Sequence, residues 1–138
     1  GGGGGGPRPS ARCVLVILPP HCFCSQHPYS DNMDTQHPIH IPGATRMFLT
    51  FDSESRTEQN HDYVEIYLDA ARSLQFGGKF TGGRGGGDRN FPGVGSVPPL
   101  EIPGDRCVVI FHSDGSNVDW GFKCVVCGKG GDNACVCV

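Results

Sequence analysis

Apolar residues recur at every second position in three separate stretches of this chain. Met47, Leu49 and Phe51 alternate with Arg46, Phe48 and Thr50. Val64, Ile66 and Leu68 alternate with Tyr63, Glu65 and Tyr67. Trp120, Phe122, Cys124 and Val126 alternate with Gly121, Lys123 and Val125. Successive strand side chains point to opposite faces, so this period predicts half-buried antiparallel strands. Residues 107–111 are apolar throughout, which suits a strand in the middle of a sandwich. Shorter strands are expected at 38–41 and 100–102. Pro42-Gly43, Pro92-Gly93, Pro103-Gly104 and Asp114-Gly115 punctuate these runs as turns. The single helical candidate, 69–73, is too short to stand. The fold class is therefore all-β, an antiparallel β-sandwich.

The 138 residues suffice for one domain with a core. Glycine is concentrated in a run at 1–6 and a cluster at 77–95, and such runs bury too little apolar surface to offset their ordering entropy. Residues 1–25 are thus expected to be a low-complexity leader, 26–126 the folded domain with a flexible Gly-rich loop at 82–95, and 127–138 a Gly- and Cys-rich tail with no reason to fold. The run 14–18 follows Arg8 and Arg12 but is short, and it lacks a small-residue cleavage site. No stretch reaches the ~20 apolar residues of a membrane span. The chain begins without Met and is read as part of a larger polypeptide.

A net charge of -3 and a pI near 6.0 argue against nucleic-acid binding, which needs a basic face. The Gly-Gly-Arg-Gly-Gly-Gly segment at 82–87 carries one arginine and no following Lys-Ser/Thr, so it is not a phosphate loop. No Gly-x-Ser-x-Gly or His-Glu-x-x-His is present. The chain reads as a binding module and not as an enzyme. Three segments carry its chemistry: Phe51-Asp52-Ser53-Glu54, His61-Asp62-Tyr63-Val64 and Ser113-Asp114-Gly115-Ser116-Asn117. Each lies at the end of a strand-like run and offers a carboxylate. Carboxylates, a hydroxyl and an amide at one end of a β fold make an all-oxygen site for a hard cation such as Ca²⁺.

These segments resemble the motifs of a CUB domain over 25–126. Phe-Asp-Ser-Glu at 51–54 is similar to the family's Phe-Asp-x-Glu, and His-Asp-Tyr-Val at 61–64 to its Tyr-Asp-Tyr-Val, with His61 in place of Tyr. Phe-His-Ser-Asp-Gly-Ser-Asn at 111–117, followed by Gly121-Phe122, is similar to its Phe-x-Ser-Asp-x-Ser-Asn ending in Gly-Phe. The resemblance implies a jelly-roll sandwich of the CUB and spermadhesin type with one Ca²⁺ site at one end. It implies carboxylates from Glu54, Asp62 and Asp114, further oxygens from Ser116 and Asn117, and Tyr29 as a buttress. It also implies recognition of a protein partner that presents Lys or Arg. A metal-free docking domain of a larger protein and a glycan-binding sandwich are the alternatives.

Of the eight cysteines, at 13, 22, 24, 107, 124, 127, 135 and 137, none falls within 26–106, where extracellular members of the family place theirs. Cys107 and Cys124 sit at apolar strand positions and read as small buried hydrophobes. A core without disulfides predicts a reducing, intracellular compartment, with secretion as the alternative. A zinc site from Cys22, Cys24, Cys124, Cys127, Cys135 and Cys137 has poor spacing.

Overall fold

The computed structural model describes residues 21–130 and 135–137. Among the described residues are nine strands: β1 (His21–Cys24), β2 (Asp34–His40), β3 (Ala44–Phe51), β4 (Tyr63–Tyr67), β5 (Gln75–Thr81), β6 (Leu100–Pro103), β7 (Arg106–His112), β8 (Lys123–Gly130) and β9 (Cys135–Cys137). One sheet has the order β1-β8-β3-β6 with β9 also paired to β8, and the other runs β2-β7-β4-β5. Every strand pairing is antiparallel. The alternation in 46–51 and 63–67 appears as burial of Met47, Leu49, Phe51, Val64 and Ile66 against each other across the two sheets. The β-sandwich read from the sequence is the fold of the protein.

β7 holds the centre of its sheet, which is why its sequence is apolar without alternation. Cys107, Val109 and Phe111 enter the core, while Val108 and Ile110 are buried on the other face. There Tyr67 lies opposite Val108, and Glu65 and Gln36 flank Ile110. Pro38 is tolerated inside β2 because β2 is an edge strand. Aromatic rings tie the core together: Phe51 meets Phe91 at 5.1 Å, Phe111 meets Phe122 at 5.2 Å, and Tyr29 meets Phe111 edge-on at 5.1 Å.

Three expectations from glycine and cysteine content need correction. The cluster at 77–95 is ordered structure. Gly77 and Gly78, at φ 83° and 84°, form a bulge where the register slips between Glu65↔Lys79 and Ile66↔Phe76. Beyond it Phe80 and Phe91 return to the core. The segment after Val126 is also structured, since β8 continues to Gly130 beside β3. Gly128 stands there because a Cβ would come within 2.8 Å of Ile41 Cγ2 and 2.9 Å of Ala44 Cβ. Close approach, not looseness, explains that glycine. Finally, the last part of the expected leader forms β1, because Phe23 reaches inward to stack on His37 at 4.9 Å and meet Phe122 edge-on. The rest of the leader, 1–20, and the tail residues 131–134 and 138 lie outside the described residues.

Candidate metal centre

The segment between β3 and β4 leaves one sheet, crosses the end of the sandwich and enters the other. Asp52 starts it with a local turn: its Oδ1 accepts the Glu54 N–H at 2.8 Å, and its carbonyl accepts the Ser55 N–H at 3.0 Å. Arg56 then exchanges both backbone hydrogen bonds with Gly121, at 2.8 and 2.9 Å. Thr57, fully buried, donates its hydroxyl to the Asp62 carbonyl at 2.8 Å, and Thr81 donates to the same oxygen at 2.7 Å. The Asp62 N–H closes a turn on the Glu58 carbonyl at 3.0 Å. Two threonines and one turn therefore fix the Asp62 backbone before its side chain is considered.

The Asp62 carboxylate has no solvent exposure. Tyr29 donates its phenol O–H to Oδ2 at 2.6 Å, and the Asp114 backbone N–H donates to Oδ1 at 2.8 Å. The phenol oxygen in turn accepts the Glu58 N–H at 3.2 Å. Burial pushes the Asp62 carboxyl above the usual Asp range, the two hydrogen bonds pull it back down, and the charges of Asp114 and Glu58 push it up again. Burial and the bond to Asp62 likewise drive the Tyr29 phenol far above its ordinary range, so it remains a donor at any physiological pH.

Asp114 reaches Asp62 because β4 and β7 are neighbours, with Tyr63 opposite His112, so that one residue before β4 meets the loop after β7. Asp114 Oδ1 accepts the Ser116 N–H at 3.2 Å, and Asn117, at φ 64°, points its amide to the Ser116 hydroxyl at 3.4 Å. Ser113 pins the early loop: its hydroxyl accepts the Met33 N–H and donates to the Ser30 carbonyl. Tyr29, Asp62 and Asp114 are thus brought into one bonded set, with Ser116 and Asn117 on the same loop as Asp114. Glu54 is engaged elsewhere. Its Oε2 lies 3.1 Å from Arg56 Nη1, and Arg56 Nε lies 3.3 Å from Asp119 Oδ1.

Two further residues join the site. Ligand atoms of Glu58, His61 and Asp114 lie within 4.8 Å of one another, and His61 Nδ1 is 3.6 Å from Asp114 Oδ2. In the sequence, Glu58 is a third carboxylate of the same loop, four residues ahead of Asp62, and the backbone turn from Asp62 to Glu58 is what that spacing permits. Among the described residues the grouping contains no cysteine. Its donors are mainly carboxylate oxygens, which suit a hard cation. The exposed imidazole of His61 is a donor that such cations avoid. Both Asp62 oxygens already accept one hydrogen bond, and a carboxylate retains lone pairs beyond that.

The two-sheet antiparallel sandwich is that of a CUB domain, and the chain belongs to that family: the CUB domain model matches residues 23–125. CUB domains are in general non-catalytic protein-interaction modules. The fold is similar to that of the crystal structure of the MASP-1 CUB2 domain bound to Ca²⁺, at a TM-score of 0.57 and 18% identity, covering 76% of this chain and 88% of that one. In sequence the chain is similar to zinc finger ZZ-type and EF-hand domain-containing protein 1 of Homo sapiens, 31% identical over 102 residues and 74% of this chain. It is also similar to E3 ubiquitin-protein ligase HERC2 of Homo sapiens, 32% identical over 102 residues, again 74% of this chain. The chain spans only 3% and 2% of the length of those two relatives.

Proposed function

We propose that this domain is a non-catalytic protein-recognition module whose acidic end takes Ca²⁺ and presents its fixed carboxylates to a Lys or Arg of a protein partner. The observation that carries the reading is the Asp62 carboxylate, fully buried and braced at both oxygens by Tyr29 and the Asp114 N–H. A buried carboxylate beside two others carries an electrostatic cost that two hydrogen bonds only partly offset. A divalent cation relieves that cost. The proposed donors are Asp62, Asp114 and Glu58, with oxygens from Ser116 and Asn117. Glu54 joins them only by leaving Arg56. A bound Ca²⁺ would supply charge compensation and hold the two loops in one arrangement. The outer carboxylate oxygens then offer a pre-ordered acceptor for an ammonium or guanidinium group. The Ca²⁺ named for the MASP-1 CUB2 domain of the same fold supports this reading.

Calorimetry and thermal unfolding test it. The expected result is a saturable heat with Kd of roughly 10⁻⁴ to 10⁻³ M, as for loop-built extracellular-type modules, and a Tm that rises with millimolar Ca²⁺. Asp114→Ala should lose both. No heat and no Tm shift in the unsubstituted protein would remove calcium from the account.

A second reading, recognition of a basic side chain without metal, is favoured by Arg56. Its guanidinium is already gripped between Glu54 and Asp119 within the chain. Salt-sensitive binding of an Arg-containing peptide in a chelator would support it. A reducing compartment is proposed on the same footing. Cys107 and Cys124 are free, buried thiols, with burial pushing Cys107 up to about 12 and Cys124 well above the ordinary thiol range. Such groups serve packing, not reactivity.

A further inference from the structure

The Gly-rich segment that follows β5 folds into a hydrogen-bonded turn. Thr57 N–H bonds the Gly82 carbonyl at 2.8 Å, Gly83 N–H bonds the Asp88 carbonyl at 2.9 Å, and Arg84 N–H returns to the Thr57 carbonyl at 3.3 Å. Residues 84–86 form a single 3₁₀ turn. Gly83, at φ 98°, lies between two arginine stems: a Cβ there would sit 3.0 Å from Arg56 Cγ and 3.1 Å from Arg89 Cδ. The outcome is a cleft of about 440 Å³ lined by Arg56, Arg89 and the glycines 83, 85, 86 and 87, with no carboxylate on its wall.

Both guanidinium groups are anchored on one side. Arg89 Nη1 donates to the carbonyls of Ser53 and Ser55, each at 2.9 Å. Arg56 uses Nε and Nη1 on Asp119 and Glu54. Each therefore keeps a terminal nitrogen uncommitted while its plane is held. Arg46, Arg56, Arg72 and Arg106 each pair with a carboxylate. Among the described residues Arg89 and Arg84 pair with none. Arg84 does not line this cleft; with His27 and Trp120 it lines an adjoining one that shares Arg56 and Gly85 with it.

We infer that the cleft between Arg56 and Arg89 binds the oxyanion of a partner's side chain, a phosphoryl group or a carboxylate, as a recognition site separate from the acidic end. Planar forks held in place on a floor without side chains match the geometry of such oxyanions. The glycine backbone lets the anion approach closely. Since Arg56, Thr57 and Glu58 are consecutive, the basic cleft and the acidic site hang from one segment, and a partner bearing neighbouring charges of opposite sign can engage both.

The test is an amide-detected NMR titration of the full chain, without Ca²⁺, with blocked phosphoserine in one arm and blocked glutamate in the other. The expected result is saturable movement of the Gly83, Gly85, Gly86 and Gly87 amides, with Kd on the order of millimolar, as two charge-assisted contacts in an open cleft provide. Arg89→Gln should weaken it about tenfold, the worth of one charge-assisted bond. Arg89→Lys should recover part of that affinity, and Arg84→Gln should leave it within about twofold, since an exposed charge outside the cleft contributes little. The tighter of the two ligands identifies the source of the oxyanion. No saturation with either ligand overturns the inference, as does equal weakening by Arg89→Gln and Arg84→Gln in folded protein. Failure here would leave the calcium reading untouched.

Discussion

The acidic pocket around Asp62 and the arginine-lined turn at 82–87 sit on either side of the same short segment, yet they are held by different means. Asp62 is immobilised by buried polar bonds: two threonine hydroxyls on its carbonyl, a phenol and an N–H on its carboxylate. The turn is held by backbone hydrogen bonds that glycine makes room for, with Gly82 so close to the returning chain that a Cβ would lie 2.1 Å from the Asp88 carbonyl oxygen. The first region is fixed by what its side chains do, the second by what its backbone is free to do. A satisfied buried network is costly to break at any member, whereas a glycine turn is sensitive to added atoms and tolerant of changed charges.

Substitutions can break that contrast. Asp62→Ala leaves the buried Tyr29 hydroxyl and the half-buried Asp114 N–H without an acceptor, and the two orphaned donors should cost about 3 kcal/mol or more in denaturant unfolding. A cost below about 1 kcal/mol would show that the pocket collapses or takes in water and is not a rigid network. Gly83→Ala should cost about 1 to 3 kcal/mol, from strain at φ 98° and crowding of both arginine stems. Arg84→Gln in the same turn should change stability by less than about 0.5 kcal/mol, as exposed substitutions do. If the alanine were neutral, the turn would not be the close-packed element described above.

A subtler comparison uses pH. Burial raises the folded Asp62 carboxyl above its unfolded value. The folded state then binds the proton more tightly, so the ionised form carries a cost that is fully present above the folded pKa. That cost is lost as pH falls toward the ordinary Asp value of about 4. Measured in a chelator, the stability of the protein relative to Asp62→Asn should therefore increase as pH falls through that window, because the other titrating groups are common to both. A relative stability that decreases would mean that the two hydrogen bonds outweigh burial at Asp62.

Much of the first region was legible in the sequence, and much of the second was not. Alternation in 46–51 and 63–67 gave strands because one face must be buried. Asp62 and Asp114 were joined in the sequence through their resemblance to CUB motifs, and the pairing of β4 with β7 is what brings them together. Glu58 was missed because a single glutamate in a polar loop looks like any solvated charge until the Asp62–Glu58 turn brings it round. Glu54 was expected to supply a carboxylate to the metal site, and in the structure its carboxylate pairs with Arg56, two residues on. The glycines at 77–78, 82–83 and 128 were misleading for one reason. Composition counts their entropy but does not register a bulge, a wedge between arginines or a backbone passing beneath Ile41. β1 was hidden because only Phe23 of its short run carries the inward signal.

The most direct measurement follows backbone amides in both regions during one Ca²⁺ titration. Saturable shifts at Asp62 and through Asp114, Ser116 and Asn117, with Gly83 to Gly87 as the quiet internal reference and loss of the effect in Asp114→Ala, are the expected result. Amides that stay still at the acidic end to about 10 mM Ca²⁺, well above the weak-site range, or that move equally in Asp114→Ala, would contradict the central claim.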